Sequence, residues 1–249
     1  MKKILPLLML GWALISCAQT GSSGSVVDER DFSSVFYYID KAPRIASDNP
    51  PMLILLHGVG SNEKDLFGLA DQLPGEFRIV SARAPITLQE GSYAWFRFDM
   101  VDGVRIAHED EAEKTRLDLI RFIEQMSAQY KTPSDKIYLL GFSQGAIMSY
   151  SVSLTTPTAV KGILALSGGV LPSLKDKIKP SDELKKLQMF IAHGTDDLVL
   201  PLSRSIEARD FVESFGIVQS YHEYMGMEHR INREELIDIN NWLKADIKN

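Results

Sequence analysis

The sequence of 249 residues predicts an α/β domain with a mostly parallel central sheet and helices on both faces. Two observations support this fold class. Apolar runs of strand length alternate along the chain with amphipathic stretches of helix length, which is the pattern of repeated strand–helix units. Some of the runs, such as "MLILLHG" at 52–58, are apolar throughout, and this is typical of strands that are buried on both faces.

The first elements lie in the N-terminal half of the chain. Strands are predicted at 34–40 and at 52–58, where a glycine closes the apolar run. A helix-like stretch at 63–73 is followed by a strand at 77–85 that ends at a proline. The stretch 86–108 has no clear period and contains several aromatic residues, so we predict a long irregular loop of the kind that often has a function.

The helix predicted at 109–130 has the strongest pattern. Acidic residues occupy its start, where negative charge is favourable, and apolar residues recur every three positions from Leu117 to Met126. Beyond this helix the alternation continues to the end of the chain. Strands are predicted at 136–141, 162–168, 189–194 and 218–225, and helices at 143–154, 202–216 and 232–247, with a weaker helix around 181–188.

The overall charge argues against nucleic-acid binding. The chain has 27 Lys and Arg residues against 33 Asp and Glu residues, a formal net charge of −6, and no basic run. Such a chain has no electrostatic attraction to a phosphate backbone, so no nucleic-acid partner is predicted. The sequence shows no internal repeat and no second domain, and it leaves the oligomeric state open.

The N-terminal residues are predicted to lie outside the α/β domain. Two lysines at 2–3 precede an apolar run that is too short to span a bilayer and has the length of a secretory signal. The run ends in "LISC", which resembles the lipobox of bacterial lipoproteins, and Cys17 is the only cysteine of the chain. We predict a lipoprotein signal peptide at 1–16, a lipidated Cys17 with a flexible tether at 17–30, and the α/β domain at 31–249.

This prediction has consequences for the location of the protein. Acyl chains on Cys17 would anchor it in a membrane, which would then be a partner. A lipobox indicates a bacterial cell envelope. Ala18 stands where an aspartate would favour the inner membrane, so the outer membrane is predicted instead. The alternative is an ordinary signal peptide with an incidental cysteine.

A G-x-S-x-G motif marks the candidate nucleophile. Residues 141–145 read "GFSQG" and lie between a predicted strand and a predicted helix. In this motif the serine occupies a sharp strand-to-helix turn that exposes its hydroxyl, and the glycines let the two backbones pack closely. We therefore predict Ser143 as the nucleophile and the backbone N–H of Gln144 as one donor to an oxyanion.

A nucleophilic serine needs a base, and in this fold the chain order is serine, acid, histidine. Among the histidines only His222 and His229 lie late enough to follow an acid. His222 lies inside a predicted strand and is interpreted as structural. His229 lies in the loop after the last predicted strand, at the same sheet edge as Ser143, and is predicted as the base. The five histidines are His57, His108, His193, His222 and His229.

The acid and the second oxyanion donor are predicted at other strand ends. Asp196 and Asp197 follow the strand at 189–194, and spacing does not decide between these neighbours. The stretch "LLHGVGSN" follows an early strand, and its glycines leave the backbone open. The N–H of Val59 in that stretch is therefore predicted as the second oxyanion donor.

These stretches together resemble a known family. The resemblance extends over roughly 36–242 and is to the phospholipase/carboxylesterase group of α/β-hydrolases, which includes the acyl-protein thioesterases. It implies the α/β-hydrolase fold and no metal or organic cofactor. The stretches that carry it are "LLHGVGSNEKDL", "ARAPITLQEGSYAWF", "LLGFSQGA", "LALSGG", "IAHGTDDLVLP" and "GMEH".

The resemblance also implies the roles of individual residues. In that family the acid lies four residues after the histidine of a His-Gly pair, which implies Asp197 rather than Asp196. The family also places the nucleophile on Ser143, the base on His229 and the oxyanion donors on the N–H groups of Val59 and Gln144.

We therefore expect a serine hydrolase that cleaves carboxylic esters through an acyl-enzyme, as a carboxylesterase or lysophospholipase does. Its substrate would be a small-molecule, glycan or lipid ester. Tyr93, Trp95 and Phe96 are predicted to line the substrate pocket, or alternatively to pack in the core. Because members of the family mostly carry no lipid anchor, only the reaction class is carried over.

Two other functions remain open at this point. The first is a cell-envelope carbohydrate esterase that removes acetyl or feruloyl groups, because it would use the same triad. The second is a catalytically silent, surface-binding protein on a hydrolase scaffold. The complete set of candidate triad residues argues against the second alternative.

Overall fold

The computed structural model describes residues 34–102 and 104–247. Its α-helices are α1 (Lys64–Phe67), α2 (Glu109–Tyr130), α3 (Gln144–Thr155), α4 (Ser203–Glu213) and α5 (Arg233–Asp246). Its strands are β1 (Tyr38–Lys41), β2 (Met52–Leu56), β3 (Arg78–Ala82), β4 (Ile86–Gln89), β5 (Ser92–Ala94), β6 (Phe98–Val101), β7 (Val104–Ala107), β8 (Ile137–Phe142), β9 (Gly162–Leu166), β10 (Gln188–Gly194) and β11 (Gln219–Tyr224).

Seven of the strands form the central sheet, in the order β1-β3-β2-β8-β9-β10-β11. The strand β1 is antiparallel to β3, and every other pair of neighbours in this sheet is parallel. The predicted mostly parallel sheet is therefore confirmed. Because six strands run in one direction, the loops that follow β2, β8, β10 and β11 all begin at the same edge of the sheet.

Two hydrophobic cores cover the two faces of the sheet. Along β2, Met52, Ile54 and Leu56 belong to one core, and Leu53 and Leu55 belong to the other. The helices α2, α3 and α4 pack on the first core, and α1 and α5 pack on the second. This double burial is the physical reason that the sequence of β2 is apolar throughout, and it confirms the prediction of helices on both faces.

The structure corrects the prediction of an irregular loop at 86–108. These residues contain two antiparallel hairpins, β4–β5 and β6–β7. The first hairpin turns at Gly91, whose φ of 74° is readily adopted only by glycine. The four strands have three or four residues each and several exposed positions, so no alternating pattern builds up in the sequence.

Two other predicted elements are shorter than expected. The helix predicted at 63–73 covers only Lys64–Phe67, because glycine, a poor helix former, follows at position 68 and the chain continues as turns. The weaker helix predicted around 181–188 is only a 3-10 turn at Leu184–Lys186. The first strand is also displaced, since β1 begins four residues later than 34–40 predicts.

The predicted signal peptide at 1–16 and tether at 17–30 lie outside the described residues. Within 34–102 and 104–247 no helix is both long and apolar enough to cross a bilayer.

Candidate active site

Ser143 lies on a sharp turn between β8 and α3. Its backbone has φ 55° and ψ −114°, which is a strained conformation for a residue with a Cβ. The glycines on both sides make this turn possible. A Cβ on Gly141 would overlap the carbonyl of Gly145, and a Cβ on Gly145 would overlap the carbonyl of Leu56. The motif therefore has glycine at both of these positions because the start of α3 packs closely against β8 and the end of β2.

Ser143, His229 and Asp197 form a continuous hydrogen-bonded chain. The Oγ of Ser143 lies 2.9 Å from Nε2 of His229, and Nδ1 of His229 lies 2.6 Å from Oδ2 of Asp197. The carboxylate of Asp197 can only accept, so Nδ1 carries the proton and Nε2 is free to accept from the serine hydroxyl. The three side chains come from the loops after β8, β11 and β10, which the parallel sheet brings to one edge.

Burial differs among the three side chains. The carboxylate of Asp197 is fully buried, and its Oδ1 accepts the N–H groups of Val199 and Leu200 at 2.9 Å each. The ring of His229 keeps 16% of its surface exposed. These hydrogen bonds fix the orientation of the acid, while the base stays open to a substrate.

Two backbone segments lie beside Ser143. Gln144 is the first residue of α3, so its N–H has no acceptor within the helix, and it lies at the positive end of the helix dipole. A Cβ on Gly58 would come within 3.5 Å of the Cβ of Ser143, so the loop that carries Val59 runs along the serine. Both predicted oxyanion donors therefore belong to segments that adjoin the nucleophile.

The three predicted pocket residues have different surroundings. Trp95 is fully buried, and its indole N–H donates to the carbonyl of His57 at 2.8 Å. Phe96 is also buried in the first core. Tyr93 is half-buried, and the guanidinium of Arg83 lies 4.7 Å from the centre of its ring. The burial of Trp95 and Phe96 favours the packing alternative for those two residues.

The side chain of Gln144 has a contact that sequence analysis did not find. Its Oε1 accepts the N–H of Trp95 at 2.8 Å, and its Nε2 donates to the carbonyl of Phe96 at 2.6 Å. The hydroxyl of Thr115, on α2, donates to the carbonyl of Trp95 at 2.7 Å. The segment after the β4–β5 hairpin is thus attached to the turn of the nucleophile. The one sign of this contact in the sequence is that Gln144 is a polar residue within a stretch of small and apolar residues.

His57 and His222 have hydrogen-bond partners that suit a structural role. The Nε2 of His57 accepts the N–H of Ala84 at 3.1 Å, and its Nδ1 donates to the carbonyl of Gly58 at 2.7 Å. Burial lowers the pKa of His57, so its ring is neutral at physiological pH. His222 lies within β11, as predicted, and bonds to the hydroxyl of Ser220 at 2.8 Å. Across the described part of the chain, no group of three His, Cys, Asp or Glu side chains is arranged to hold a metal ion.

Comparison with known proteins identifies the family. The model of the phospholipase/carboxylesterase family matches residues 44–247, which is most of the chain. The chain belongs to the phospholipase/carboxylesterase family. Members of this family have the α/β-hydrolase fold, and the chain is accordingly a carboxylic ester hydrolase.

This member of the phospholipase/carboxylesterase family is similar to curated enzymes in sequence and to solved structures in fold. Acyl-protein thioesterase 1 of Neurospora crassa is 30% identical over 77% of this chain and 84% of its own. The Yarrowia lipolytica protein of the same name is 28% identical over 79% and 92%. The crystal structure of esterase PE8 has a TM-score of 0.72 and 27% identity, over 84% of this chain and 97% of its own. The Bacillus cereus carboxylesterase, with a TM-score of 0.74, 24% identity and coverage of 86% and 96%, supports the fold alone.

The comparisons contradict the predicted location. The sequence predicts a bacterial cell envelope, and more specifically the outer membrane. Its most similar curated relatives include acyl-protein thioesterases of fungi, among them those of Yarrowia lipolytica, Saccharomyces cerevisiae and Neurospora crassa. The prediction of a bacterial envelope protein is therefore wrong, and the short N-terminal pattern on which it rested does not outweigh similarity over most of the chain.

Proposed function

We propose that this family member hydrolyses carboxylic esters and thioesters with Ser143 as the nucleophile, His229 as the base and Asp197 as the acid. One observation carries the proposal. It is the unbroken chain from the Ser143 hydroxyl through the His229 ring to the buried carboxylate of Asp197, with distances of 2.9 Å and 2.6 Å. A strained, glycine-flanked serine at the start of a helix has no evident structural purpose, which further supports a chemical role.

The proposed reaction begins when the Oγ of Ser143 attacks the carbonyl carbon and Nε2 of His229 takes the hydroxyl proton. The oxygen of the tetrahedral intermediate is held by the N–H groups of Val59 and Gln144. Collapse breaks the bond to the alcohol or thiol, which leaves with the proton from Nε2, and the acyl group remains on Ser143. Water then attacks the acyl-enzyme, gives its proton to Nε2, and the acid is released as Ser143 recovers its proton.

The proposed substrate carries an apolar acyl group. The named relatives are acyl-protein thioesterases, and esters and thioesters react through the same tetrahedral intermediate. Leu198 and Val199 follow Asp197 directly, and both are exposed, Leu198 almost completely. Apolar side chains next to the acid favour an alkyl chain over a carbohydrate near the site.

The test is hydrolysis of p-nitrophenyl esters from acetyl to palmitoyl, a palmitoyl thioester, and acetylated and feruloylated sugars. We expect the wild-type chain to prefer acyl chains longer than acetyl and Ser143→Ala to be inactive on all of them. A preference for the sugars would instead support the carbohydrate esterase. Retained activity in Ser143→Ala, or no labelling of Ser143 by a fluorophosphonate, would refute the proposed nucleophile.

A second proposal concerns the N-terminus and rests on its sequence alone. It is that residues 1–16 are a cleaved signal peptide, that Cys17 is lipidated, and that 17–30 link it to the hydrolase domain at 31–249. Such a lipid would anchor the protein to a membrane. Intact mass spectrometry of the protein from its own cells tests this, with Cys17→Ala as the control. A mass that includes residues 1–16, with no added lipid, would refute it.

A further inference from the structure

His193 is a buried histidine to which the proposed reaction gives no task. It is the last residue but one of β10, it is fully buried, and it lies beside Asp197. Its Nε2 is 3.2 Å from Oδ2 of Asp197 and 2.9 Å from the carbonyl oxygen of Leu200. Both neighbours are acceptors, so this arrangement is satisfied only when Nε2 carries a proton.

The surroundings also determine the charge of the ring. The Nδ1 of His193 is buried and has no hydrogen-bond partner among the described residues. A proton there would be an unsatisfied buried donor on a buried cation, which is costly. Burial accordingly lowers the pKa of His193. The ring is therefore neutral, and its single proton is on Nε2.

We propose that His193 is a positioning residue that holds the carboxylate of Asp197 in line with His229 and in its ionised form. The proposal rests on the role of Asp197 in the proposed function. Backbone N–H groups occupy Oδ1 of Asp197, whereas Oδ2 accepts from Nδ1 of His229 and also lies 3.2 Å from Nε2 of His193. The Nε2–H group of His193, which donates to the carbonyl of Leu200, thus places its partial positive charge against Oδ2 and favours this orientation of the carboxylate.

Other charged groups around His193 do not replace this contact. His229 faces His193 across Asp197 and disfavours a positive charge on it. Glu223, which is in register with His193 on β11, is exposed. Arg105 of β7 and Arg204 of α4 donate to the backbone carbonyls of neighbouring loops. Besides His229, the ring of His193 is thus the polar side-chain group of the described residues that lies against the Asp197 carboxylate.

Loss of this donor should change how tightly the Asp197–His229 pair binds a proton. A carboxylate that loses a neighbouring positive dipole attracts a proton more strongly, and it also stabilises the imidazolium of His229 more strongly. Both effects favour the protonated pair in a variant without this N–H group. Because His229 must be unprotonated to accept the serine proton, the acid limb of the kcat/KM profile moves to higher pH.

The experiment compares His193→Phe with His193→Gln in the full chain. Phenylalanine keeps the ring volume without a donor, whereas glutamine places an amide N–H near the position of Nε2. We expect His193→Phe to shift the acid limb upward by about one pH unit, which is about tenfold in kcat/KM on that limb, and His193→Gln to keep the wild-type limb. An equal fall at every pH in both variants, with an unmoved limb, would overturn the proposal.

Asp197→Asn separates this proposal from the one on which it depends. If Asp197→Asn keeps wild-type activity, the proposed function itself fails. If it is inactive while the limb of His193→Phe does not move, only the role of His193 fails.

A measurement on the wild-type protein covers the case in which His193→Phe does not fold. With ¹⁵N-labelled histidine, His193 should appear as the neutral Nε2–H form from about pH 5 to pH 8. An Nδ1–H form, or a titration of His193 within that range, would overturn the proposal without any substitution.

Discussion

At the scale of single residues, two adjacent aspartates illustrate what spacing can and cannot predict. Both follow β10, and the sequence pattern alone does not separate them. In the structure Asp196 is exposed and accepts the hydroxyl of Thr195 at 2.9 Å, whereas Asp197 is buried and bonds to His229. The difference arises from how the chain bends after the strand, which depends on contacts of the backbone with the loop before His229 and not on residue type.

This contrast provides a matched pair of variants. We expect Asp197→Asn to lower kcat by about 10⁴-fold, because the amide can no longer hold the required tautomer of His229. We expect Asp196→Asn to keep nearly all activity, since its side chain is exposed and accepts the hydroxyl of Thr195 rather than a proton of the His229 ring. Initial rates with a p-nitrophenyl ester measure both. Comparable losses in the two variants would contradict the assignment of the acid.

The glycine after Ser143 gives a second prediction. A methyl group at Gly145 would overlap the carbonyl of Leu56, so Gly145→Ala must push α3 away from the end of β2. We expect a loss of about 3 kcal/mol in the free energy of unfolding, together with lost activity.

Urea denaturation measures this loss against a control in the same chain. At Gly91 a methyl group meets no atom within 4 Å, although φ is positive. Gly91→Ala should therefore lose only about 1 kcal/mol. Equal stability losses in the two variants would mean that the overlap at Gly145 is relieved at no cost.

At the scale of secondary-structure elements, the length of each element decides how well the sequence predicts it. The helix predicted at 109–130 matches α2 residue for residue, because its pattern repeats over 22 residues. The strand predicted at 218–225 matches β11 to within one residue at each end. The hairpins within 86–108 were missed, since strands of three or four residues show too few repeats to establish a period.

The sequence predicted the candidate catalytic residues, but it did not predict the contacts that support them. A parallel sheet brings the ends of β8, β10 and β11 together, so the order of the chain was enough to find the candidate serine, the candidate histidine and a pair of candidate acids. The choice of Asp197 within that pair came from the family resemblance. The bond from Gln144 to Trp95 joins residues 49 positions apart, and its partners depend on the packing of a hairpin that has no sequence pattern. The same holds for His193, which looks like any other apolar-strand histidine until the loop after β10 is in place.

The end of α2 gives a prediction at this scale. Lys131 caps the helix in the left-handed conformation, with φ 54° and ψ 35°, and glycine is the usual residue where a helix ends in this conformation. We expect Lys131→Gly to raise the free energy of unfolding by about 0.5–1 kcal/mol, because relief of the backbone strain exceeds the added freedom of the unfolded chain. Lys131→Ala, which keeps the Cβ, is the control, and a gain of the same size there would rule out this explanation.

At the scale of the whole molecule, one buried carboxyl should make stability depend on pH. Glu235 is fully buried in the first turn of α5, and neither of its carboxyl oxygens has a hydrogen-bond partner among the described residues. Burial raises the pKa of Glu235 to about 8, so the folded protein holds this group neutral at pH 7. The unfolded chain ionises it at an ordinary carboxyl pKa, so stability falls as the pH rises between these two values.

Glu235→Gln tests this dependence. The amide is neutral at every pH, so we expect the variant to gain about 3 kcal/mol in the free energy of unfolding at pH 7 and almost nothing near pH 4, where the wild-type group is protonated in both states. Chemical denaturation at the two pH values measures the difference. A gain that is the same at both would show that Glu235 is ionised in the folded protein.

The order of the triad along the chain has a consequence for biosynthesis. The serine precedes its histidine by 86 residues, and both the acid and the base follow the strands at the end of the sheet. A ribosome that has just released α3 has therefore delivered a nucleophile with nothing to activate it. Ester cleavage can begin only after β11 and the loop behind it have left the exit tunnel and docked on β10, so the growing chain stays inert towards acyl groups until its base has been made and placed.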